Sequence, residues 1–433
     1  MKIAQITPSS GDSFYCENCL RDIALVKAIK QLGHDILMVP LYLPVESDSG
    51  EPVSDAPIFF GGINVFLQQK SILFRKTPRW MDRWLDSPRL LKWVGRRAGM
   101  TSAQELGETT LSMLSGENGR QIKELDRLVE WLSLRENRPD VVCLSNILLA
   151  GLVRRIKDKL GVPVVCLLQD EDGFVDGLGE PYARQAWDML AERARDIDGF
   201  VAVSNYFAGV MQRRLRLAPE KMHVVYMGIS LDGYEAAPSG VDKPTIGFLS
   251  RMCYYRGLDI LVDAFIVLRK NEKIENLKLR IAGGQAANDE GFINQIRDKL
   301  GSCNLLQDVE FVGDFSGDGR RRFFQELTVL SVPERLPIAY GLYILEALAA
   351  GVPVVEPAFG VFPELLEITG GGVLFEPNSV DALADALRPL VLDTDYAHRL
   401  GQEGHLGVSK GFDLHKTSQQ LVAAFAQIMR RRA

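Results

Sequence analysis

The stretch from residue 331 to residue 355, SVPERLPIAYGLYILEALAAGVPVV, contains the strongest fold signal in the chain. It begins as the end of an apolar strand, passes through a loop, and turns at Gly341 into a helical pattern predicted to cover residues 341–350. Another apolar strand follows Gly351. Strand, helix and strand in this order are typical of a parallel sheet covered by helices. The N-terminus of such a helix has free backbone N–H groups and a partial positive charge, so it can bind a phosphate.

A carboxylate and two arginines extend this anion site. Glu346 lies one turn along the predicted helix, where it can accept hydrogen bonds from the two vicinal hydroxyls of a ribose. Arg251 and Arg256 flank a turn after another predicted strand, 245–250. Because guanidinium groups match the geometry of phosphate oxygens, two arginines around one turn suit a diphosphate. The sequence therefore predicts a pyrophosphate clamp formed by these arginines and the helix at Gly341.

Working outward, strands and helices alternate along most of the chain. The first half contains apolar strands at 2–7, 35–40, 140–145, 162–168 and 199–203, most of them followed by an amphipathic helix. Residues 235–244 are small and polar with two prolines, and are predicted to link two domains. The alternation then restarts at Thr245. We therefore predict an α/β protein with two doubly wound, Rossmann-like domains: residues 1–235, completed by a C-terminal helix at 412–433, and residues 244–411.

Composition excludes several classes of protein. The chain has 433 residues, 46% of them hydrophobic and 24% charged, with a formal net charge of −6. These values exclude bulk disorder and a disulfide scaffold. The chain also lacks the overall positive charge that is typical of proteins that bind nucleic acid. The six scattered cysteines fit a reducing cytoplasm, and neither a signal peptide nor an apolar run long enough to cross a membrane is visible. We expect a cytoplasmic protein.

Short motifs in a characteristic order identify a family. They cover nearly the whole chain and are Gly33-His34-Asp35, Val203-Ser204-Asn205, Gly228-Ile229, Ser250-Arg251, Arg256-Gly257-Leu258, Ile281-Ala282-Gly283-Gly284, Phe311-Val312-Gly313 and the 341–355 block. With them the chain resembles retaining glycosyltransferases of the GT-B fold, in the family-4 type (glycosyl transferases group 1). The resemblance implies two domains facing each other across a cleft, with the C-terminal helix crossing back to the first.

The resemblance also implies a reaction. The second domain would bind a nucleotide-diphosphate sugar of the UDP or GDP type, and the first would bind an acceptor, which could be a glycan, a lipid or a small molecule. A hexose would be transferred with retention of configuration and without a metal or other cofactor. The residues implied at the donor are Arg251 and Arg256 on the diphosphate, Glu346 on the ribose, the backbone of Gly341, Leu342 and Tyr343 on phosphate, and the loop at Gly283 and Gly284.

Two departures from the family pattern bear on catalysis. The family places a sugar-binding glutamate eight positions before Glu346, where this chain has Ile338, which cannot accept a hydrogen bond. Glu334, four residues earlier, could substitute if the loop is rebuilt. The lysine that is usual in the clamp is Arg256 here. An alternative function is therefore a degenerate, non-catalytic relative that binds a partner or regulates an active enzyme.

Three further features have alternative interpretations. Gln169, Asp170, Glu171 and Asp172 follow a parallel strand, where ligands bind, so we predict that they contribute to catalysis; the alternative is a solvated turn. The insertion at 70–97 combines nine basic residues with three tryptophans, which suits either an anionic membrane surface or a solvated helical face. Cys16 and Cys19 have the spacing of a redox pair, but the rest of the chain is not thioredoxin-like, and a zinc site would need two more ligands at a suitable spacing.

Overall fold

A computed structural model of the chain describes residues 1–8, 17–43, 54, 56–60, 103–234, 243–270, 274 and 276–432. The chain divides into two compact units. The first contains Asn18–Tyr226, the first strand and His415–Ala433, and the second contains Met227–Leu414. Three features predicted from the sequence lie outside the described residues, namely Cys16, the insertion at 70–97 and most of the linker at 235–244.

The first unit has a sheet in which every described pair of strands is parallel, in the order β2-β1-β3-β4-β5-β6. Its strands are β1 Lys2–Thr7, β2 Asp35–Pro40, β3 Val141–Leu144, β4 Val164–Leu168, β5 Gly199–Ala202 and β6 Met222–Val224. Its helices are α1 Glu17–Gln31, α2 Ala103–Leu114, α3 Ile122–Ser133, α4 Val153–Leu160, α5 Glu171–Asp176, α6 Tyr182–Arg193 and α7 Asn205–Arg214. Strands β3, β4 and β5 are buried throughout, which explains their continuous apolar sequences.

The second unit repeats this plan with the strand order β12-β11-β10-β7-β8-β9, again parallel wherever described strands pair. Its strands are β7 Thr245–Leu249, β8 Lys278–Ala282, β9 Val309–Phe311, β10 Val329–Leu330, β11 Val354–Pro357 and β12 Gly372–Phe375. Its helices are α8 Leu258–Lys270, α9 Glu290–Ser302, α10 Gly317–Gln325, α11 Leu342–Ala349, α12 Phe362–Thr369, α13 Val380–Leu392 and α14 Thr394–Gly411. The prediction of two Rossmann-like domains is confirmed.

The last helix, α15 Leu414–Arg432, packs in the first unit. Phe425 and Ile428 on this helix belong to a buried cluster that also contains residues of α1 and of β1 to β5. A Cβ added at Gly199 would lie 2.5 Å from Cδ1 of Ile428, so the glycine lets the helix approach β5 closely. The C-terminal helix is thus part of the core of the unit in which the chain begins.

Some boundaries and elements differ from the sequence expectations. After β3 the sequence pattern predicts one amphipathic helix over residues 148–160, whereas the structure has a 3-10 segment, Ile147–Leu152, followed by α4. The helices that the sequence pattern did not predict are α2, α3, α5, α9, α10, α12 and α14. In α14, Gly401, Gly404 and Gly407 weaken the helical pattern, yet each lies against a neighbouring element; a Cβ at Gly401 would be 1.9 Å from the carbonyl oxygen of Gly351. Close packing therefore outweighs helix propensity there.

Candidate functional site

The site in the second unit lies at the carboxyl ends of β10, β7 and β8. Because these neighbouring strands are parallel, the loops after them emerge at one edge of the sheet. The loop after β7 carries Arg251, whose guanidinium binds both carboxylate oxygens of Asp289, with Nε–Oδ2 2.7 Å and Nη2–Oδ1 3.0 Å. Asp289 also accepts from the backbone N–H of Ala286 at 2.7 Å. A buried carboxylate therefore fixes the orientation of the first arginine of the predicted clamp.

The second arginine, Arg256, ends a 3-10 turn that Gly257 closes in the left-handed region, with φ 68°. A Cβ at Gly257 would lie 1.8 Å from the carbonyl oxygen of Pro333, so only glycine lets the loops after β7 and β10 touch here. Across this contact, Nη1 of Arg256 is 2.5 Å from Oε1 of Glu334. The turn thus brings the second cation against the loop that leads into α11.

Gly283 and Gly284 follow β8 and contact the same loop. Both have positive φ values, 118° and 72°, and a Cβ at Gly283 would lie 2.2 Å from the carbonyl oxygen of Ser250. The backbone N–H of Met252 donates to the carbonyl oxygen of Gly284 at 3.0 Å. These glycines therefore allow the two loops to pack backbone against backbone beside Arg251.

Helix α11 starts at Leu342 with Gly341 as its N-cap residue, and no side chain caps it. All eight of its residues are buried, so its first turn presents backbone N–H groups rather than polar side chains. The Tyr343 side chain points into the core, where its hydroxyl donates to Oε2 of Glu356 at 3.4 Å. Burial raises the pKa of Glu356 well above its usual range.

Glu346 is buried within the second unit. Its Oε1 accepts from the hydroxyl of Tyr234 at 2.8 Å and lies 2.9 Å from Nε of Arg320. Burial raises the pKa of Tyr234 well above its usual range, and the negative charge of Glu346 raises it further. The tyrosine therefore stays protonated and keeps donating to the carboxylate predicted to hold a ribose.

Ile338 occupies the position where the family pattern has a glutamate, and it is buried at 5% exposure. Its carbonyl oxygen accepts from the N–H of Val361 at 3.2 Å. A Cβ at Gly360 would lie 3.0 Å from the backbone nitrogen of Ile338, so the turn after β11 packs closely against the backbone of this residue. The site thus has an apolar, well-packed side chain at this position.

The four residues predicted to be catalytic lie in the first unit, at the carboxyl end of β4. Gln169 and Glu171 are buried, whereas Asp170 and Asp172 are partly exposed. The carboxylate of Glu171 accepts from the backbone N–H groups of Gln169 at 2.7 Å and Ile147 at 3.1 Å. Glu171 therefore holds the loops after β3 and β4 together, whereas the side chains of Asp170 and Asp172 are partly exposed.

Electrostatics and strain set this loop apart. Burial raises the pKa of Glu171 to about 8 and the pKa of Asp172 to about 6. The negative charge of Asp170 also raises both pKa values. Asp170 itself adopts a left-handed conformation with φ 68°, which is uncommon for a residue with a side chain. Strained residues and shifted pKa values cluster at functional sites, so the loop stays a candidate.

Sequence reasoning missed several partners that the structure brings to these two sites. In the second unit they are Asp289, Arg320 and Tyr234, which bind Arg251 or Glu346 from distant parts of the chain. In the first unit, the hydroxyl of Thr7 donates to Oδ2 of Asp22 at 2.9 Å, and burial raises the pKa of Asp22 to about 6. No local pattern marks any of them, because each is an ordinary polar residue on a loop, on a helix or at the end of a strand.

Two kinds of feature are absent from the described ranges. No group of three or more His, Cys, Asp or Glu side chains comes together there in a way that could hold a metal ion. No helix within those ranges is long and apolar enough to cross a membrane.

Family models match most of the chain. Residues 235–406, which contain the clamp, match the model for glycosyl transferases group 1, and residues 111–232 match the model for glycosyltransferase family 4. The chain belongs to the group 1 glycosyltransferases of the GT-B fold. The first match covers both arginines and α11, and the second covers the loop at Gln169.

This group 1 glycosyltransferase is similar to a GDP-mannose-dependent alpha-(1-6)-phosphatidylinositol monomannoside mannosyltransferase from Mycobacterium tuberculosis. The two are 30% identical over 169 residues, which is 38% of this chain and 42% of the relative. The matched part of the chain thus spans less than half of that relative's length.

Solved structures agree on the fold across the whole chain. The sucrose-phosphate synthase from Thermosynechococcus elongatus superposes with a TM-score of 0.73 and 16% identity, covering 99% of both chains. HepE from Anabaena, in complex with UDP, gives a TM-score of 0.70 and 15% identity and covers 99% of this chain and 100% of its own. At these identities the likeness is one of fold.

Proposed function

We propose that this GT-B protein transfers a hexose from a nucleotide-diphosphate sugar of the UDP or GDP type to an acceptor, with retention of configuration. The observation that carries the proposal is the meeting of Arg251, Arg256 and the uncapped start of α11 at one edge of the second sheet. Two guanidinium groups and a helix N-terminus are complementary to a diphosphate, on which negative charge grows as the sugar leaves. Because these groups supply the positive charge, we expect activity without a divalent metal.

The arginines are already balanced by carboxylates within the protein. Asp289 binds Arg251 and Glu334 binds Arg256, so each guanidinium of the clamp is paired with a carboxylate of the protein. A bound diphosphate would compete with these carboxylates for the same guanidinium groups. The proposal therefore includes an exchange of ion pairs when the donor binds.

The ribose would be held by Glu346. Its carboxylate is fixed by Tyr234 and Arg320, and it lies one turn along the helix whose N-terminus would hold phosphate. A carboxylate in this relation to a phosphate-binding helix N-terminus suits the two ribose hydroxyls. The loop at Gly283 and Gly284 would provide backbone close to the nucleotide.

The acceptor would bind at the first unit, at the loop that carries Asp170 and Asp172. Its chemistry could be that of a glycan, a lipid or a small molecule; the mycobacterial relative is by its name a phosphatidylinositol monomannoside mannosyltransferase. A lipid-linked acceptor would suit the basic, tryptophan-rich insertion at 70–97, which we propose as a contact with the membrane surface.

A second candidate function is a non-catalytic relative that binds a nucleotide or a partner without turnover. The buried Ile338 favours it, because a lost acceptor for a sugar hydroxyl would cost about 1–3 kcal/mol, which is about 10- to 100-fold in rate if lost in the transition state. The intact clamp and the buried Glu334 beside it favour the transferase.

Calorimetric titration tests the proposal. UDP, GDP and ADP would be titrated first, then their sugar conjugates, against the wild type, Arg251→Ala and Arg280→Ala. Arg280 is a matched control, since it pairs with Glu310 on β9 and is not part of the clamp. Micromolar binding of one nucleotide that is weakened about 10-fold or more only in Arg251→Ala, followed by slow transfer or hydrolysis of the matching sugar conjugate, supports the transferase. Binding without turnover supports the second candidate, and no binding by folded protein contradicts both.

A further inference from the structure

Arg335 lies in the loop that joins β10 to α11, and it ties this loop to the loop after β7. Its guanidinium donates to Oδ2 of Asp259 at 2.5 Å through Nη2 and to the carbonyl oxygen of Tyr254 at 3.0 Å through Nε. Its backbone N–H donates to the carbonyl oxygen of Tyr255 at 3.0 Å. The backbone and the side chain of one residue thus bind two successive carbonyl oxygens of the neighbouring loop.

These contacts lie on both sides of Arg256, the second arginine of the clamp. Tyr254 and Tyr255 are the two residues before it in the 3-10 turn that it ends. Asp259 lies three residues after it, in the first turn of α8. Because a guanidinium group is planar and has fixed donor directions, the bonds of Arg335 to Asp259 and Tyr254 fix the path of the chain between these two residues.

The Tyr254 ring adds a second kind of contact. The guanidinium carbon of Arg335 lies over this ring, 4.0 Å from its centre, where a cation is attracted to the aromatic face. The ring of Phe292 on α9 meets Tyr254 edge to face, with centroids 6.5 Å apart and planes at 89°. Although the Tyr254 side chain is 52% exposed, it contacts both a cation and a second ring. The turn before Arg256 is therefore held by side-chain packing as well as by hydrogen bonds.

The two loops bind each other reciprocally. Arg256 on the β7 loop pairs with Glu334 on the β10 loop, and Arg335, the next residue, binds back to the β7 loop. Gly257, the residue after Arg256, lies against Pro333, the residue before Glu334. The turn that carries Arg256 is therefore fixed at both ends. A cation that is already held in place loses less freedom when it binds a ligand, and this favours binding.

We propose that Arg335 is a positioning residue of the clamp: it holds the turn that ends in Arg256, so that the Arg256 guanidinium is in place for the donor diphosphate before the donor binds. Arg335 acts through Arg256 rather than through contact with the donor, because its own guanidinium is turned towards Asp259 and Tyr254. The inference rests on the proposed function, since it requires a diphosphate that binds Arg256.

The positive charge of Arg335 offers a different explanation for any effect on the donor. A cation near the site attracts a diphosphate whether or not it holds Arg256 in place. The two explanations differ once Arg256 is replaced by alanine. A positioning residue then has no guanidinium left to position, whereas a charge still attracts the ligand. A double-mutant cycle on these two arginines therefore separates positioning from charge.

The cycle measures dissociation constants of UDP and GDP by calorimetry on the full chain, for the wild type, Arg335→Ala, Arg256→Ala and the double variant. Arg335→Ala is expected to weaken binding of the nucleotide that the wild type binds by about tenfold, as found for residues of one hydrogen-bond network. In the Arg256→Ala background, the same substitution is expected to change the dissociation constant by less than about twofold.

Arg280→Ala is the matched control. Like Arg335, Arg280 pairs with a carboxylate, that of Glu310, and its guanidinium carbon lies over an aromatic ring, 5.7 Å from the centre of Phe323. It stands on β8 rather than on the loops of the clamp. Its loss is expected to leave the dissociation constant unchanged, which would show that removing a paired, ring-stacked arginine does not by itself weaken binding.

Arg335→Lys provides a second readout. Lysine keeps the charge opposite Asp259 but lacks the planar group that binds a carboxylate and a carbonyl oxygen together. This variant is expected to bind the nucleotide more weakly than the wild type and more tightly than Arg335→Ala. If Arg335→Ala lacks a thermal unfolding transition, Arg335→Lys takes its place in the cycle.

The outcomes separate the inference from the proposed function. A loss of affinity in Arg335→Ala that disappears in the Arg256→Ala background supports the inference. An equal loss in both backgrounds, or no loss in Arg335→Ala, contradicts it while the proposed function stands. If Arg256→Ala binds as tightly as the wild type, Arg256 does not hold the diphosphate and the inference is wrong. If the folded wild type binds neither nucleotide, the proposed function and the inference both fail.

Discussion

Arg256 and Glu334 form an ion pair across 78 residues of sequence, with Nη1 and Oε1 2.5 Å apart. They stand on the loops that follow two neighbouring parallel strands, β7 and β10, and the close approach of Gly257 to Pro333 allows them to meet. Arg251 has the corresponding relation to Asp289 after β8. The two cations expected to hold a diphosphate are thus each held by an acidic residue of the protein itself, which makes the clamp rigid and electrically balanced before a ligand binds.

The first prediction concerns Arg251. Arg251→Ala is expected to weaken UDP or GDP binding by about 10- to 100-fold, because a hydrogen bond to a charged group contributes about 1.5–3 kcal/mol. Part of this loss would come from Asp289, which becomes a buried carboxylate without its guanidinium and repels the diphosphate. Calorimetry of the double variant Arg251→Ala/Asp289→Asn is expected to recover part of the affinity. An unchanged affinity in the single variant would remove Arg251 from the binding site.

The second prediction concerns the ribose. If Glu346 accepts from the ribose hydroxyls, the wild type should bind UDP or GDP more tightly than the corresponding 2′-deoxy nucleotide. Glu346→Gln should reduce this preference by about fivefold or more, since a hydrogen bond to a charged group is worth more than one to a neutral amide. Both affinities would be measured by calorimetry for both proteins. The prediction is wrong if the preference for the ribonucleotide is the same in both proteins.

The matched control for this test is Tyr234→Phe. It removes the hydroxyl that donates to Oε1 of Glu346 but leaves the carboxylate in place. We expect a loss of stability of about 1–2 kcal/mol from the missing hydrogen bond, with the preference for the ribonucleotide retained. A preference lost in both variants would show that the orientation of Glu346, rather than its charge alone, holds the sugar.

The fold could be predicted from sequence because burial leaves a local pattern. Strands such as Val164–Leu168 are buried on both faces, so their sequences are continuously apolar, and the helices between them carry one apolar face. Glycines at strand ends mark loops, as Gly283 does after β8. Helix α14 was not predicted, because its glycines weaken the helical pattern. These glycines pack closely against Gly351 and Thr369, and a local sequence pattern does not reveal such contacts.

The candidate site could be predicted only in part. Arg251, Arg256 and Glu346 stand out because their residue types and positions relative to strands and a helix suit a nucleotide. Their partners could not be predicted, since which carboxylate pairs with Arg256 depends on the contact between loops far apart in sequence. The bonding of Glu171 was also hidden: its position after a parallel strand predicted a catalytic contribution, and its two hydrogen bonds from backbone N–H groups could not be seen in the sequence.

The third prediction concerns the pH dependence of stability. Burial raises the pKa of Glu171 from 4.5 to about 8 in the folded protein. Between these values the unfolded chain has lost the proton and the folded chain keeps it, so the folded state binds more protons and its stability falls as pH rises. The contribution is complete below about pH 4.5 and falls by up to about 1.4 kcal/mol per pH unit until about pH 8. Glu171→Gln should remove this slope in the free energy of unfolding, although the lost acceptor adds a constant offset.

The comparison variant for this slope is Asp22→Asn. Burial raises the pKa of Asp22 from 3.8 to about 6, so its contribution to the slope ends near that pH. Denaturant unfolding of the three proteins at several values between about pH 5 and pH 8 separates the two groups. A slope above pH 6 that is as steep in Glu171→Gln as in the wild type would show that Glu171 is not its source; a smaller residual slope is expected from Glu356, whose pKa burial also raises.

The fourth prediction concerns the C-terminal helix. Phe425 is 1% exposed and packs with residues such as Ile3 and Val165 in the core of the first unit. Phe425→Ala is expected to destabilise this unit by about 3–5 kcal/mol, because it removes a large buried side chain and leaves a cavity. Since the second unit has its own core, hydrogen exchange should speed up in β1, β4 and α15 but not in β7 and β8. Leu406→Ala is the control, because that leucine is 69% exposed and its truncation should change exchange in neither sheet. Equal acceleration in both sheets of Phe425→Ala would mean that the two units unfold as one, and no acceleration would mean that α15 does not stabilise the first sheet.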